Sequence, residues 1–340
     1  VRVALLFLVL GSSALAFVSA VAQTGKSDSA PWARVHYGYG VDSELAQVDK
    51  QVVEIRDTAY QRLAIWDEGK GPGKRRALAM NDSLQFLWNE NEKLTSGSRY
   101  EYYNYSTAAA LWAKSETGSA HAKSVLILGL GGGLIPFQLR QFFPDIKITS
   151  FELDAGVADV ARRLLPLAKS GEVDVRVGDG RILLRNDEAK YDYILLDTFL
   201  NSYVPFHLTT REFFELARAR LNPGGILLAN FHTVFETSGL LPRLENTIRS
   251  VFPSTARFHL SAGTTFILAA PGVVPLRERL EAAARSAPSG LRELSFSAAA
   301  GLQPVSSPED ADGEVLTDDL NDTEQRLYET RKHIVVSRPI

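Results

Sequence analysis

Val125-Leu126-Ile127-Leu128-Gly129-Leu130-Gly131-Gly132-Gly133, continued by Leu134 to Phe143 at helical spacing and by Ile146-Lys147-Ile148-Thr149-Ser150-Phe151-Glu152, is the stretch that decides the fold. An apolar run leads into a glycine loop, a helix follows, and a second strand ends on an acid. Glycine lets backbone N–H groups approach a ligand closely, and the helix N-terminus adds the positive end of a dipole. A carboxylate at the tip of the second strand can accept both hydroxyls of a ribose. Gly129, Gly131, Gly133 and Glu152 together describe a nucleoside site. The dinucleotide pattern G-x-G-x-x-G fits at Gly129 and Gly131 but meets Leu134 at its third position, which argues against a nicotinamide or flavin cofactor. A steric role alone, as in any tight strand-to-helix turn, is the plain alternative for the glycines.

From Ser124 onward strands and helices alternate, which predicts an α/β fold with a mainly parallel, doubly wound sheet covered on both faces. Further strands are expected at Val173 to Val177, Tyr191 to Leu196, Ile226 to Phe231, Thr255 to Leu260 and Thr264 to Ala269, with helices at Ala155 to Leu164, Arg211 to Ala219, Leu240 to Ser250 and Leu276 to Ala284. Only Ser261-Ala262-Gly263 separates the last two strands, so they must form an antiparallel hairpin, because a parallel crossover needs a dozen or more residues. Upstream, Val52 to Arg56, Gln61 to Trp66 and Arg76 to Leu87 alternate like strands around the breaker-rich loop Gly69 to Lys74, which predicts a small antiparallel sheet. Tyr100 to Ala113 reads as a helix, and Ser286 to Glu309 as a loop of low order. The chain is thus expected to comprise a linker over 23–46, an N-terminal β-sheet domain over 47–98, a Rossmann-like cofactor-binding catalytic domain over 99–284 and a C-terminal extension over 285–340.

Three acids end three successive strands: Glu152, Asp179 within Gly178-Asp179-Gly180, and Asp197 after Leu196. Open parallel sheets place ligands at the carboxyl ends of their strands, so the three should converge. Each taken singly also fits a helix N-cap, Asp179 especially.

At these residues the chain resembles a family. The order Gly129 to Gly133, Phe151-Glu152-Leu153-Asp154, Val177-Gly178-Asp179-Gly180 and Ile194 to Phe199 is similar to that of the spermidine synthase (polyamine aminopropyltransferase) family, whose fold is of the S-adenosylmethionine-dependent methyltransferase type. The resemblance covers about Gln51 to Arg331 and includes Tyr60-Gln61, Gln85, Tyr103, Thr210 to Phe214 and Leu316-Thr317-Asp318-Asp319. It implies S-adenosylmethionine or its decarboxylated form as co-substrate, an amine acceptor and a homodimer. By the same resemblance Glu152 would bind the ribose hydroxyls, Asp179 and the backbone at Gly180 the adenine amino group, Gln61 the nucleoside, and Asp197 would act at the transfer centre. Gln85, Tyr103, His207, His232, Asp318 and Asp319 are the expected acceptor-side residues. A sulfonium carries an activated leaving group, so the protein must mainly align the attack and manage a proton, which a carboxylate such as Asp197 can do.

The chain also departs from the family pattern. The loop aspartate of the family is Gly132 here, the second acid after Asp197 is replaced within Thr198-Phe199-Leu200, the family's His-Glu is Asn104-Tyr105, and an acid after the proline is His207. A dicationic acceptor wants a row of carboxylates, since buried unpaired charge is costly, and most of that row is gone. An alkyl transfer to an amine-type acceptor is therefore set beside two other readings: a methyltransferase with a non-polyamine acceptor, and a non-catalytic nucleoside-binding module. His207 and His232 are candidates for proton transfer, against the plainer reading of each as a satisfied polar residue. Asp318 and Asp319 either cap a helix starting near Asn321 or fold back to supply negative charge.

Composition narrows the partners. With 340 residues, 37 basic and 40 acidic side chains and a net charge of -3, the chain has room for a large core and no electrostatic footprint for nucleic acid. The absence of cysteine excludes disulfides, thiolate metal sites and cysteine nucleophiles, and the six histidines show no metal spacing. Val3 to Ala22 is almost wholly apolar behind Arg2 and closes on Ala20-Val21-Ala22, so residues 1–22 read as a signal peptide or membrane anchor, which implies an exported or membrane-attached protein. Because the first residue is Val, the alternatives are a different start codon or a piece of a longer protein, in which case the segment would be the last of several membrane helices before a cytoplasmic domain.

Overall fold

The computed structural model describes residues 50–81, 83–97, 100–114, 119–198, 204–232, 239–260, 263–305 and 314–328. The apolar segment 1–22 and the linker 23–46 lie outside them. No helix among the described residues is long and apolar enough to cross a membrane. The chain divides into two compact units, one of residues up to 57 with 61–89, the other of 58–60 with 90–340.

The first unit is an antiparallel four-stranded sheet in the order β1 (Lys50–Asp57), β2 (Arg62–Glu68), β3 (Arg75–Met80), β4 (Ser83–Trp88). Alternating side chains build one of its faces: Ala64 and Trp66 of β2 pack with Ala77 and Ala79 of β3, flanked by Ile55, Leu84 and Leu87. The expected strand Arg76 to Leu87 is in fact two. The break falls at Asn81, whose φ of 52° lies in the left-handed region that asparagine tolerates, and its side-chain oxygen accepts from the Arg62 amide at 3.0 Å. Asp67 and Glu68 are buried but matched, Asp67 by a two-pronged bond from Arg76 and Glu68 by Arg75.

The second unit is built on an eight-stranded mixed sheet in the order β12-β10-β11-β9-β8-β5-β6-β7. Its strands are β5 (Ser124–Leu128), β6 (Lys147–Glu152), β7 (Asp174–Val177), β8 (Tyr191–Leu196), β9 (Leu221–His232), β10 (Ser254–Leu260), β11 (Thr264–Ala270) and β12 (Gln303–Pro304). β5 to β9 pair in parallel, and the hairpin β10–β11 joins β9 antiparallel, as its short link requires. The order of the sheet reverses between β5 and β8, the position at which open α/β sheets hold ligands.

The helices are α1 (Glu101–Ala108), α2 (Leu134–Phe142), α3 (Ala155–Leu164), α4 (Gly180–Asn186), α5 (Arg211–Ala219), α6 (Leu240–Val251), α7 (Leu276–Ser286) and α8 (Ser289–Gly301), with a further short one over 323–328. On one face Leu126, Leu128, Ile194 and Leu196 pack with Phe213 and Phe214 of α5 and Leu244 and Ile248 of α6. The alternate residue Tyr193 reaches the other face, where its hydroxyl donates to the Ser106 carbonyl of α1 at 3.0 Å.

One expectation is overturned. Ser289–Gly301 is a helix where the sequence reads as a loop, and β12 follows it. Its buried face is Leu291, Ser295, Ala298 and Ala299, residues too small or polar to announce a helix by hydrophobic period. Contacts that sequence spacing does not reveal hold that face: Trp112 Nε1 donates to Ser295 Oγ and Tyr105 Oη to Ser297 Oγ, each at 2.9 Å.

Candidate active site

The three acids stand along one edge of the sheet. Glu152 ends β6, Asp179 follows β7, Asp197 follows β8, and the glycine loop leaves β5 between β6 and β8. Strands in a sheet lie about 5 Å apart, so Glu152 and Asp179 are neighbours while Asp197 stands roughly 10 Å from the Glu152 strand.

The glycines divide into two kinds. Gly129 (φ 93°) is steric: a Cβ there would sit 2.2 Å from the Asp197 carbonyl oxygen. Gly133 (φ 78°) precedes α2, and a Cβ on it would lie 2.4 Å from Leu167 Cβ. Gly131 (φ 53°) is different, because a Cβ there would meet nothing within 4 Å. The loop therefore opens toward free space at Gly131, where a ligand can approach the backbone.

Glu152 is turned onto that loop. Its Oε2 accepts from the amides of Leu130 (3.0 Å) and Gly131 (3.3 Å), and its Oε1 from the Asp154 amide (2.9 Å). Burial pushes its carboxyl up, against the lowering effect of these three backbone bonds. A carboxylate offers about four acceptor positions, so one remains for a ligand hydroxyl. The loop amides that would cradle a pyrophosphate are thus already bonded to Glu152. This arrangement suits a nucleoside without phosphates at the loop.

Asp179 caps α4: its Oδ1 accepts from the amides of Arg181 (3.0 Å) and Ile182 (2.9 Å). The other oxygen, Oδ2, lies 2.7 Å from Nε2 of His207, which the short turn Phe206–Leu208 carries. Gly180 is the first residue of α4, where a Cβ would press on Leu128 Cδ2 at 3.1 Å. Leu153, Val177 and Ile182, all exposed, add apolar surface after β6, at the end of β7 and in the first turn of α4. Flat aromatic groups favour such surface.

Asp197 has a contrasting environment. Its one hydrogen-bond donor among the described residues is the Asn230 amide, at 2.9 Å from Oδ1, and burial pushes its carboxyl up to about 6. Burial also raises the phenols of Tyr102, Tyr103 and Tyr193, and the Asp197 charge raises each further. The rings of Tyr102 and Tyr103 stand 3.9 Å apart. Next to Asp197, Thr198 Oγ1 is buried with no hydrogen-bond partner among the described residues. Tyr103 is thus close enough for the Asp197 charge to act on it, as are Tyr102 and Tyr193, and Asn230, which sequence reasoning missed, holds the carboxylate. Asn230 had a signal: it is a polar residue inside the apolar run Ile226 to Phe231, buried at 6 % exposure.

The remaining expected residues fall elsewhere. Asn104 grips the Thr95 backbone, accepting from its N–H and donating to its carbonyl, and Tyr105 holds α8, so the positions that replace the family's His-Glu serve packing. Asp318 folds back as far as α4 but makes a two-pronged ion pair with Arg181 (2.7 and 2.6 Å), so its charge is neutralised there. The helix cap expected of the Asp318-Asp319 pair comes instead from Asn321, whose Oδ1 accepts from the Thr323 amide. Asp319 is exposed. His232 ends β9 opposite Thr264. Gln61 and Gln85 belong to the four-stranded unit, where Gln85 Nε2 donates to the Ser83 carbonyl. No cluster of metal-ligating residues occurs among the described residues.

The spermine/spermidine synthase domain model matches residues 110–267, which run from just after α1 into β11. Residues 110–267 carry the likeness to the spermine/spermidine synthase domain. Two curated relatives are the "Probable polyamine aminopropyl transferase" of Bifidobacterium longum, 35% identical over 44% of this chain and 32% of its own length, and the polyamine aminopropyltransferase of Vibrio vulnificus, 33% identical over 51% and 58%. The chain thus spans between a third and three fifths of these two relatives. Among solved structures, the spermidine synthase of Thermotoga maritima shares the fold, with a TM-score of 0.55, 18% identity and coverage of 78% of this chain and 87% of that one. The matched region of the spermine/spermidine synthase domain holds the glycine loop, all three acids, His207 and Asn230.

Proposed function

We propose that this domain is a transferase that moves an alkyl group from an adenosyl sulfonium, in its decarboxylated form as for polyamine aminopropyltransferases, to an amine acceptor. The observation that carries the reading is the contrast along the sheet edge between the loop-bound Glu152 and the desolvated Asp197. Glu152 and the open face of Gly131 would hold the ribose, and the apolar surface of Leu153, Val177 and Ile182 the base, near Asp179. The sulfonium supplies a carbon already activated for displacement.

What the protein must add is placement of the acceptor and removal of its proton. Asp197, with its carboxyl near 6, is ionised at neutral pH yet more basic than an ordinary carboxylate. Its free oxygen can accept a hydrogen bond from the attacking amine, hold the lone pair in line, and take the proton that the nitrogen sheds as it is alkylated. Asn230 fixes the carboxylate plane. Among the described residues of this edge, Asp197 is the carboxylate bound neither to a protein cation nor to backbone N–H groups, which suits an amine that attacks neutral and becomes positively charged as it is alkylated.

The test is calorimetric titration with S-adenosylmethionine, its decarboxylated form and methylthioadenosine, followed by product analysis with putrescine and with monoamines. Binding of the decarboxylated form and an aminopropylated product are expected. Methylated product would shift the reading to methyl transfer, and no binding of any adenosyl compound would sink it.

A further inference from the structure

His207 stands where the resembled family carries an acid, and its ring is committed to Asp179. As a carboxylate Asp179 only accepts hydrogen bonds, so the imidazole Nε2 at 2.7 Å must carry a proton and donate it to Oδ2. Oδ1 cannot be given up without uncapping α4, because it accepts from two amides of the first turn. Any ligand group that seeks Asp179 must therefore compete for Oδ2.

The turn that carries His207 is pinned through its backbone. The His207 carbonyl accepts from Arg181 Nη1 at 3.0 Å, and the Phe206 carbonyl from Asn321 Nδ2 at 3.1 Å. Arg181 is itself held by the two-pronged pair with Asp318. Among the described residues the imidazole has no comparable restraint: it is about a third exposed, it meets the half-exposed ring of Phe206 edge-on at 5.6 Å, and a swing about its side-chain torsions would return it to water. The main chain stays while the ring moves.

We propose that His207 is a built-in competitor for the base: it holds Asp179 Oδ2 until a ligand with an exocyclic N–H donor displaces it. The proposal rests on the nucleoside reading given above. A base bearing an amino group replaces the bond that His207 gives up, so the exchange is nearly balanced. A base without such a donor leaves the His207 bond in place and gains nothing from Asp179, so the competitor does not act on it.

The experiment compares methylthioadenosine with a purine riboside that lacks the amino group, titrated calorimetrically into the full chain as wild type, His207→Ala and His207→Gln. Removing the competitor in His207→Ala is expected to tighten methylthioadenosine about tenfold, the equivalent of 1.4 kcal/mol, and to leave the purine riboside within about twofold. His207→Gln, whose amide can still donate to Oδ2, is expected to bind as wild type does. Thermal melting checks that each variant folds, with His207→Phe as the substitute for an Ala variant that does not. Equal or weaker methylthioadenosine binding by a folded Ala variant overturns the proposal and leaves the nucleoside reading standing. Equal tightening of both ligands overturns the donor requirement. Absence of binding by every chain overturns both readings.

Discussion

The carboxylates along the sheet edge are treated in opposite ways. Around Glu152 and Asp179 the backbone and His207 supply partners: three amides for the first, two amides and an imidazole for the second. Around Asp197 there are aromatic rings and the Asn230 amide, and the carboxyl rises to about 6. A carboxylate satisfied by backbone N–H groups shapes the chain around it and keeps a fixed direction. One that is desolvated and sparsely bonded is held at a free-energy cost, and that cost is what makes it useful to a substrate that brings a proton.

The sharpest way to break this contrast is Asp197→Asn. Loss of the proton acceptor should lower kcat by about 10²- to 10⁴-fold in the proposed transfer, measured at saturating co-substrate, while methylthioadenosine binding stays near wild type. The same substitution should stabilise the fold. The folded carboxyl near 6 lies above the ordinary value of 3.8, so the charged form is disfavoured by folding. Below the ordinary value both states are protonated and nothing is gained. Above about pH 6 the penalty is fully present, so Asn should raise stability there by about 1–3 kcal/mol. Melting curves at pH 4 and pH 8 check the sign, and a variant less stable at pH 8 would contradict the desolvated reading of Asp197. In the wild type, kcat should fall as pH drops through about 6.

The glycine loop offers the next comparison, between Gly129→Ala and Gly131→Ala. Both need positive φ, but at Gly129 a Cβ would lie 2.2 Å from the Asp197 carbonyl oxygen, whereas at Gly131 it meets open space. Gly129→Ala should cost more than about 3 kcal/mol in denaturant unfolding, and Gly131→Ala only about 1 kcal/mol, the cost of the left-handed backbone. Gly131→Ala should instead weaken adenosyl binding, since its methyl projects where the ligand lies. Equal unfolding costs would show that the two loop positions are not distinct.

Glu152→Gln tests the satisfied end. The amide cannot accept all three backbone bonds, and an N–H turned toward an amide donor leaves groups unpaired, so a loss of about 1–3 kcal/mol and weaker adenosyl binding are expected. The smallest effect belongs to Asp318→Asn. Its carboxylate is held below the ordinary range by Arg181 but is half exposed, so solvent screens the pair. The stabilisation is present above the ordinary carboxyl value and is lost as pH falls through the lowered one. A melting-point drop of about 1–3 °C at neutral pH and low salt, shrinking in high salt and in acid, is the expected outcome.

Much of this molecule is legible before it is folded. The helix Ala155–Leu164 and the helix Arg211–Ala219 match their expected bounds, and the antiparallel β10–β11 hairpin follows from a link too short for any other connection. Helix α8 was hidden because its buried face is mostly serine and alanine, and the partners of its Ser295 and Ser297, Trp112 and Tyr105, lie almost 200 residues away in sequence.

The sequence by itself determined the order of the elements, the glycine loop and the three acids at strand ends, because these depend on local periodicity and backbone geometry. Only the tertiary structure decided what each acid does. Spacing cannot show that Glu152 turns onto the loop, that Asp179 meets His207, that Arg181 neutralises Asp318, or that Asn230 and the tyrosines close around Asp197. Those outcomes depend on which distant groups share a dry neighbourhood. A carboxylate's role is set by the donors and water around it rather than by its place in the chain.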